Sequence, residues 1–153
     1  MNLKKIILSM GILILPLSSY AIDELDIYCK GKMIMGKYGN HYILDRRFTI
    51  NKNNPNEIKE SQGNEIYGIT YNIDGYKKEK DSATIHYGRV DPSFTKKRTI
   101  SDIKTLNLSS LNNNTVYVIY TSARLKAYDN KMNGKQILEK AETYYVQCKN
   151  QLK

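Results

Sequence analysis

The strongest constraint on the fold of this chain is its single pair of cysteines. Cys29 and Cys148 are the only two, and they lie more than 100 residues apart, near opposite ends of the chain. A disulfide between them requires Cα atoms within about 6 Å, so the elements that carry them must be neighbours. The spacing excludes a CxxC redox motif, and two distant cysteines are too few for a zinc site. Two free thiols are the alternative. An oxidising compartment favours the disulfide, and a reducing one favours the thiols.

The first 21 residues have the pattern of a secretory signal peptide. Lys4 and Lys5 precede an apolar run over residues 6–17, and small residues precede a cleavage site after Ala21. The run is about 12 residues long, whereas a membrane-spanning helix needs roughly 20, so an uncleaved anchor is the weaker interpretation. We therefore predict cleavage after Ala21 (signal peptide 1–21) and no transmembrane segment in the mature chain.

Cleavage leaves residues 22–153 as one basic domain in an oxidising compartment, where Cys29 and Cys148 form a disulfide. The leader contains two of the 24 basic residues and none of the 15 acidic ones, so the formal net charge falls from +9 to +7. The short leader that begins with lysines indicates a bacterial source. We predict a periplasmic location, with the extracellular medium as the alternative.

Alternation of apolar and polar residues predicts strands in most of the mature chain. Leu25, Ile27 and Cys29 share one face of the first predicted strand, and Val146 and Cys148 share one face of the last. Turn signals recur roughly every 8 to 14 residues, which is the spacing of short antiparallel strands. The predicted fold class is all-β.

The predicted architecture is an antiparallel meander of about 7 to 8 strands, closed into a small barrel or folded into a sandwich. The disulfide joins the first and last strands, and this favours closure into a barrel. A strand-rich sheet with one helix across an end is the alternative.

Two segments are interpreted as breaks between strands. Residues 51–64 are polar and asparagine-rich, which indicates a surface loop with a short ladder around Ile58. Asp74 and Gly75 form a favoured dipeptide for a tight hairpin turn. Because the next predicted strand begins only after residues 76–81, the hairpin is either long or splayed at its tip.

Three later segments have mixed patterns. Residues 99–108 fit a strand better than a helix because threonines and a period of two accompany the apolar positions. Residues 115–121 are apolar on both faces, which predicts a central strand that is buried on both sides. Residues 136–141 could form one helical turn with tertiary support.

Tyrosine supplies nearly all the aromatic residues, with 13 tyrosines against two phenylalanines and no tryptophan. The pairs Tyr67 with Tyr71 and Tyr144 with Tyr145 are interpreted as core or cross-strand contacts. A tyrosine cluster that was exposed would instead be a binding patch.

The sequence carries no recognisable catalytic or metal-binding constellation. His41 lies beside a turn and His86 on the polar face of a strand, without an evident nucleophile or orienting acid. The GxSxG, HExxH and phosphate-loop motifs are absent from the sequence. We predict no enzymatic activity, no metal and no cofactor.

The acidic residues are dispersed and are interpreted as solvated. This applies to those at the mature amino terminus and to those of the loop and strand edges: Asp23, Glu24 and Asp26; Glu57, Glu60 and Glu65.

The basic residues form three clusters that could bind a partner. These are Arg46 and Arg47; Lys77, Lys78 and Lys80; and Lys96, Lys97 and Arg98. Solvated turns and strand edges are the common role of such clusters. If the 74–81 tip and the 92–98 loop meet at one end of a barrel, they would form a positive rim. The rim would suit a protein with an acidic surface or the anionic envelope surface, whereas export argues against nucleic acid.

The functional hypothesis is an exported, non-catalytic binding protein of the bacterial periplasm, such as an inhibitor or an immunity partner of a secreted effector. An accessory or structural component of a surface or secretion assembly is the alternative. An enzyme that uses His41 or His86 is the third hypothesis. Neither the partner nor the oligomeric state follows from the sequence.

Overall fold

The fold is a closed, eight-stranded antiparallel barrel. A computed structural model describes residues 22–32, 43–93, 98–128 and 136–153 of the chain. The strands are β1 (Leu25–Lys32), β2 (Ile43–Asn51), β3 (Asn54–Gln62), β4 (Gly68–Lys78), β5 (Ser82–Ser93), β6 (Arg98–Ser109), β7 (Thr115–Tyr128) and β8 (Gln136–Asn150). Each strand pairs with the next, and β8 pairs with β1. The all-β prediction is confirmed, and the structure selects the barrel over the sandwich.

The disulfide lies on the seam between the first and last strands, as predicted. Cys29 of β1 stands directly opposite Cys148 of β8, and their Cα atoms are 4.1 Å apart. This seam has only three residue pairs in register, whereas β5 and β6 share twelve. The covalent bond therefore reinforces the strand pairing that has the fewest register partners among the described residues.

The meander gives the barrel two distinct ends. We call the end where β1, β3, β5 and β7 finish the upper end, and the end where β2, β4, β6 and β8 finish the lower end. Buried apolar residues close the lower end, among them Ile22 and Leu25. The Asn150 side chain donates hydrogen bonds to the carbonyl oxygens of Leu111 and Asn113, both at 3.1 Å, and ties β8 to the turn between β6 and β7.

The inward side chains are apolar over the lower part of the barrel, and aromatic residues fill its middle. The Phe48 and Tyr120 rings lie 5.3 Å apart between centroids, and the Tyr71 and Tyr87 rings lie 5.6 Å apart edge to face. Contacts of this kind stabilise a core beyond the area they bury. Tyrosine thus supplies most of the aromatic packing, which accounts for hydroxyl groups inside the barrel.

Two predicted breaks between strands are wrong. Most of the 51–64 segment is strand β3, because Ile58 and Glu60 alternate inward while the backbone pairs with both β2 and β4. Asp74 and Gly75 lie inside β4 at a register shift, and the turn itself follows at residues 79–81. A bulge absorbs the extra residue without ending the strand.

Residues 99–108 lie in β6, so the strand prediction for that segment is confirmed. Residues 136–141 belong to β8, not to a helix, because they pair with the extended end of β7. Residues 115–121 form part of β7 as a strand, but burial on both sides is wrong: Tyr117 is 50% exposed and Ile119 38% exposed on the outer face. No described segment forms a helix that could span a membrane.

Removal of the disulfide should destabilise the barrel strongly. The bond closes a sequence separation of 119 residues, and the chain-entropy treatment assigns such a loop about 4 to 5 kcal/mol of unfolding free energy. Urea unfolding of the mature domain with and without reductant measures the effect. The double variant Cys29→Ser with Cys148→Ser should unfold like the reduced wild type and should not respond to reductant. An unchanged wild-type midpoint under reductant would contradict the prediction.

Candidate functional site

The three basic clusters do not converge on a single rim. Lys77, Lys78 and Lys80 lie at the lower end, around the turn between β4 and β5. Ser93 and Arg98 pair with each other at the upper end, because β5 runs the whole length of the barrel between the two loops. Lys96 and Lys97 lie between these two residues in sequence and outside the described residues.

Arg46 and Arg47 are neighbours in sequence but point to opposite sides of β2. Arg47 lies on the outer face, where its Nε and Nη2 donate to the Asp26 carboxylate at 2.7 and 2.6 Å. Arg46 faces the interior, and its Nη1 donates to Glu60 Oε2 at 2.9 Å. Asp26, interpreted from sequence as solvated, is therefore half-buried in an ion pair.

Glu60 lies at the centre of a buried polar network. Its side chain is 1% exposed, so its interpretation as a strand-edge charge is wrong. Besides Arg46, it accepts hydrogen bonds from Lys104 Nζ at 2.6 Å and from Tyr87 Oη at 2.5 Å. Buried charges persist in proteins when they are paired and hydrogen-bonded in this way.

Lys104 of β6 is the buried cation that balances Glu60. Its Nζ also donates to Tyr120 Oη at 3.2 Å and lies 4.4 Å from the centroid of the Tyr71 ring. Burial acts to lower the pKa of Lys104, but the charge of Glu60, together with Tyr120 and the hydrogen bonds of the ammonium group, raises that pKa above its ordinary value. Lys104 is therefore held in its charged form.

A second ionic layer lies above the first. Asp102 of β6 is buried and accepts from Arg124 Nε and Nη2 at 2.7 and 3.3 Å, while Arg89 Nε lies 3.8 Å away. In β8, Lys140 Nζ lies 2.5 Å from the Glu142 carboxylate. The upper end of the barrel is thus lined with ion pairs where the lower part is apolar.

Two cavities lie at the upper end, and Arg46 and Ile69 line both. One is about 280 Å³, and the other, on the side of β2 to β4, is about 560 Å³. The smaller cavity is lined by residues of the ionic layers: Arg46, Ile69, Tyr71, Asp102, Lys104, Tyr120, Ser122, Arg124, Lys140 and Glu142. We call the two cavities together the mouth.

The lining of the mouth is mixed in charge. It contains four cations and five carboxylates: Arg46, Lys104, Arg124 and Lys140; Asp45, Glu60, Glu65, Asp102 and Glu142. The carboxylates of the ionic layers, Glu60, Asp102 and Glu142, each have a cationic partner within the barrel. Arg46 has five N–H donors, of which the hydrogen bond to Glu60 uses one. Its side chain is 42% exposed, so it can receive a further anionic group.

The mouth also has an apolar and aromatic side. Ile43, Tyr67 and Ile69 line the larger cavity. Tyr67 is 88% exposed, whereas Tyr71 is buried, so only Tyr71 is the core tyrosine predicted from sequence. The other predicted pair divides in the same way, with Tyr144 buried and Tyr145 exposed.

His86 lies on the outer face of β5, away from the mouth, with Nδ1 3.1 Å from Thr105 Oγ1. His41 lies outside the described residues. Within the described ranges, no three His, Cys, Asp or Glu side chains form a group that could hold a metal ion.

Comparison of the chain with protein-family models, with curated proteins and with solved structures found no match.

Loss of the Glu60 charge should cost much of the stability of the barrel. Glu60→Gln leaves Lys104 charged and buried without its carboxylate, and breaking a buried pair from one side costs about 3 to 5 kcal/mol. Glu57→Gln is the matched control on the same strand, where the carboxylate bonds only Asn54 near the surface, and should stay within about 0.5 kcal/mol of wild type. Urea denaturation measures both variants. Equal stability of the two would contradict the central role of Glu60.

Tyr87 and Tyr120 should ionise only at high pH, in the same pH range in which the barrel unfolds. Burial, followed by the charge of Glu60, raises the pKa of Tyr87 well above its ordinary value and that of Tyr120 to about 12. In the unfolded chain they ionise near pH 10. Their contribution to stability is therefore complete below about pH 10 and is lost as the pH rises towards 12. The raised pKa of Lys104 acts in the same direction.

Ultraviolet titration of phenolate, followed beside circular dichroism, tests this expectation. Tyr120→Phe should reduce the late-ionising fraction, and full phenolate formation before any loss of structure would contradict it.

Proposed function

We propose that this protein is an exported, non-catalytic binding protein of the bacterial periplasm that receives an acidic group of a partner protein in the mouth of its barrel. The observation that carries the proposal is the position of Arg46. Its guanidinium borders both cavities, is fixed by Glu60, and remains partly exposed. Arg124 and Lys140 also line the smaller cavity, each in an ion pair with a carboxylate.

The chemistry of the mouth favours a carboxylate. An arginine pairs with a carboxylate through parallel N–H donors, and such charge-assisted bonds are about twice as strong as neutral ones. The hydrogen bond to Glu60 holds Arg46 in place before a ligand arrives, which lowers the entropic cost of binding.

The apolar side of the mouth favours a protein as the source of that carboxylate. Tyrosine and arginine are the residue types enriched at the energetic centres of protein interfaces. Tyr67 projects from the connection between β3 and β4, beside Ile43 and Ile69. A loop with one Asp or Glu beside apolar residues would match both sides of the mouth, as in an inhibitor or an immunity partner of a secreted effector.

The Cys29–Cys148 disulfide supports an oxidising compartment, because such bonds persist outside the cytosol. Binding to the anionic envelope surface is the competing mode. It would use diffuse surface charge, including Lys77, Lys78 and Lys80 at the lower end, and would not need Arg46. An assembly component is a second candidate function, favoured by large exposed side chains such as Tyr117 and Ile119 on the outside of the barrel.

Substitution of Arg46 should weaken partner binding, whereas substitution of its neighbour should not. The mature, oxidised domain serves as bait for envelope proteins of the native host, and the captured protein is purified for titration. Arg46→Gln should bind it about 10- to 100-fold more weakly, the loss expected for one hydrogen bond to a charged group. Arg47→Gln, which alters only the outer face, should bind like wild type.

A second variant distinguishes loss of binding from loss of folding. Tyr67→Ala removes an exposed side chain and should also weaken binding while unfolding at the wild-type urea concentration. Equal binding by Arg46→Gln and wild type would contradict the proposal. Capture of no protein, with equal binding of wild type and Arg46→Gln to vesicles rich in anionic lipid, would favour the envelope surface instead.

A further inference from the structure

Part of the outer surface of the barrel, on strands β5 to β8, carries no charge and is bounded by the exposed Lys149 of β8. The outward positions are every second residue of four segments: from Ser82 to Val90 in β5, from Ser101 to Ser109 in β6, from Thr115 to Ala123 in β7 and from Ala141 to Gln147 in β8. None of them is Asp, Glu, Lys or Arg, although a quarter of the chain is charged. We call this surface the neutral face.

The outward positions of β1 to β3 show the usual surface composition. On β1 and β2 they include Asp26, Lys30, Asp45 and Arg47, and Lys59 lies outward on β3. Charged residues cover the outside of most monomeric domains because they stay hydrated there. The neutral face is therefore a local departure within one molecule, on strands that share the same solvent.

Large apolar side chains are exposed on the neutral face. Tyr117, Ile119 and Tyr145 border a groove of about 490 Å³ together with the amides of Asn107 and Gln147. Exposed apolar patches with a polar surround mark contact surfaces. The residues bordering the groove carry aromatic, aliphatic, amide or hydroxyl side chains, and none could form an ion pair with a charged partner.

We propose that the occupant of the neutral face is a second copy of this chain. Two copies of a mature domain with a formal net charge of +7 repel each other where their charged surfaces meet. A two-fold interface places the same patch of both subunits in contact, so the patch must complement itself. Hydroxyl and amide groups meet this condition because each both donates and accepts hydrogen bonds, whereas a cluster of lysines does not.

The rows of the neutral face fit a two-fold axis. Thr105, Thr121 and Thr143 are register partners across β6, β7 and β8 and form one row. Ile119 and Tyr145 form the next row towards the lower end. On the other side of the threonines, the corresponding positions of β7 and β8 are alanines.

An axis along the threonine row would place Ile119 against Ala123 of the other copy and Tyr145 against Ala141. Bulky side chains would then face small ones, as in packed sheets about 10 Å apart. The neutral face lies on the side of the barrel, so both mouths stay open and point in opposite directions. The dimer does not depend on what the mouth binds.

Sedimentation analysis of the mature, oxidised domain tests the proposal. The wild type should form a dimer as its concentration is raised to about 1 mM, and the dimer should dissociate on dilution. Thr121→Lys should weaken dimerisation at least 100-fold, because the axis brings the two introduced ammonium groups together. Thr70→Lys, the same change at an exposed outward position of β4, is the control and should dimerise like wild type.

Ala141→Lys provides a second test at another strand, in case Thr121→Lys fails to fold. Arg46→Gln should dimerise normally, which separates this proposal from the one for the mouth. A wild type that is monomeric throughout this range would overturn the proposal and assign the neutral face to a different partner. Dimers of unchanged affinity in folded Thr121→Lys or Ala141→Lys would also overturn it.

Discussion

The upper end of this barrel depends on the buried carboxylate of Glu60. A carboxylate without partners at this depth would cost several kcal/mol, and Glu60 instead accepts from donors on three other strands, Arg46, Tyr87 and Lys104. The same bonds fix the long side chains of the two cations, which would otherwise lose rotamer freedom on binding a ligand. The network therefore stabilises the barrel and prepares the mouth.

Closure of the barrel and formation of the mouth are connected through β1. Cys29 stands opposite Cys148 on one side and opposite Arg46 on the other, so the disulfide fixes the strand that aligns Arg46. A slip of one residue in β1 against β2 would exchange inward and outward positions and exchange Arg46 with Arg47. Because the seam between β1 and β8 is short, the covalent bond contributes much of this register.

The alternation of apolar and polar residues predicted most strands and the position of the disulfide, but it did not predict the mouth. Glu60 was assigned to a surface loop because the segment around it is polar, although its spacing of two from Ile58 places both on the inward face. Lys104 likewise shares a face with Leu106 and Leu108. Sequence alone could have marked these as inward charges. Their pairing, across 44 residues between Glu60 and Lys104, required the register of four strands, β3 to β6.

Strand β6 reverses the usual placement of polar and apolar residues over its upper part. Asp102 and Lys104 face inward, while Ile103 lies outward and exposed. Both placements cost free energy unless they are compensated, the first by pairing and the second by removal from water. Arg124 and Glu60 compensate the inward charges within the domain. Among the described residues nothing covers Ile103 or the neutral face around it, and in the dimer proposed above the second copy would remove this face from water.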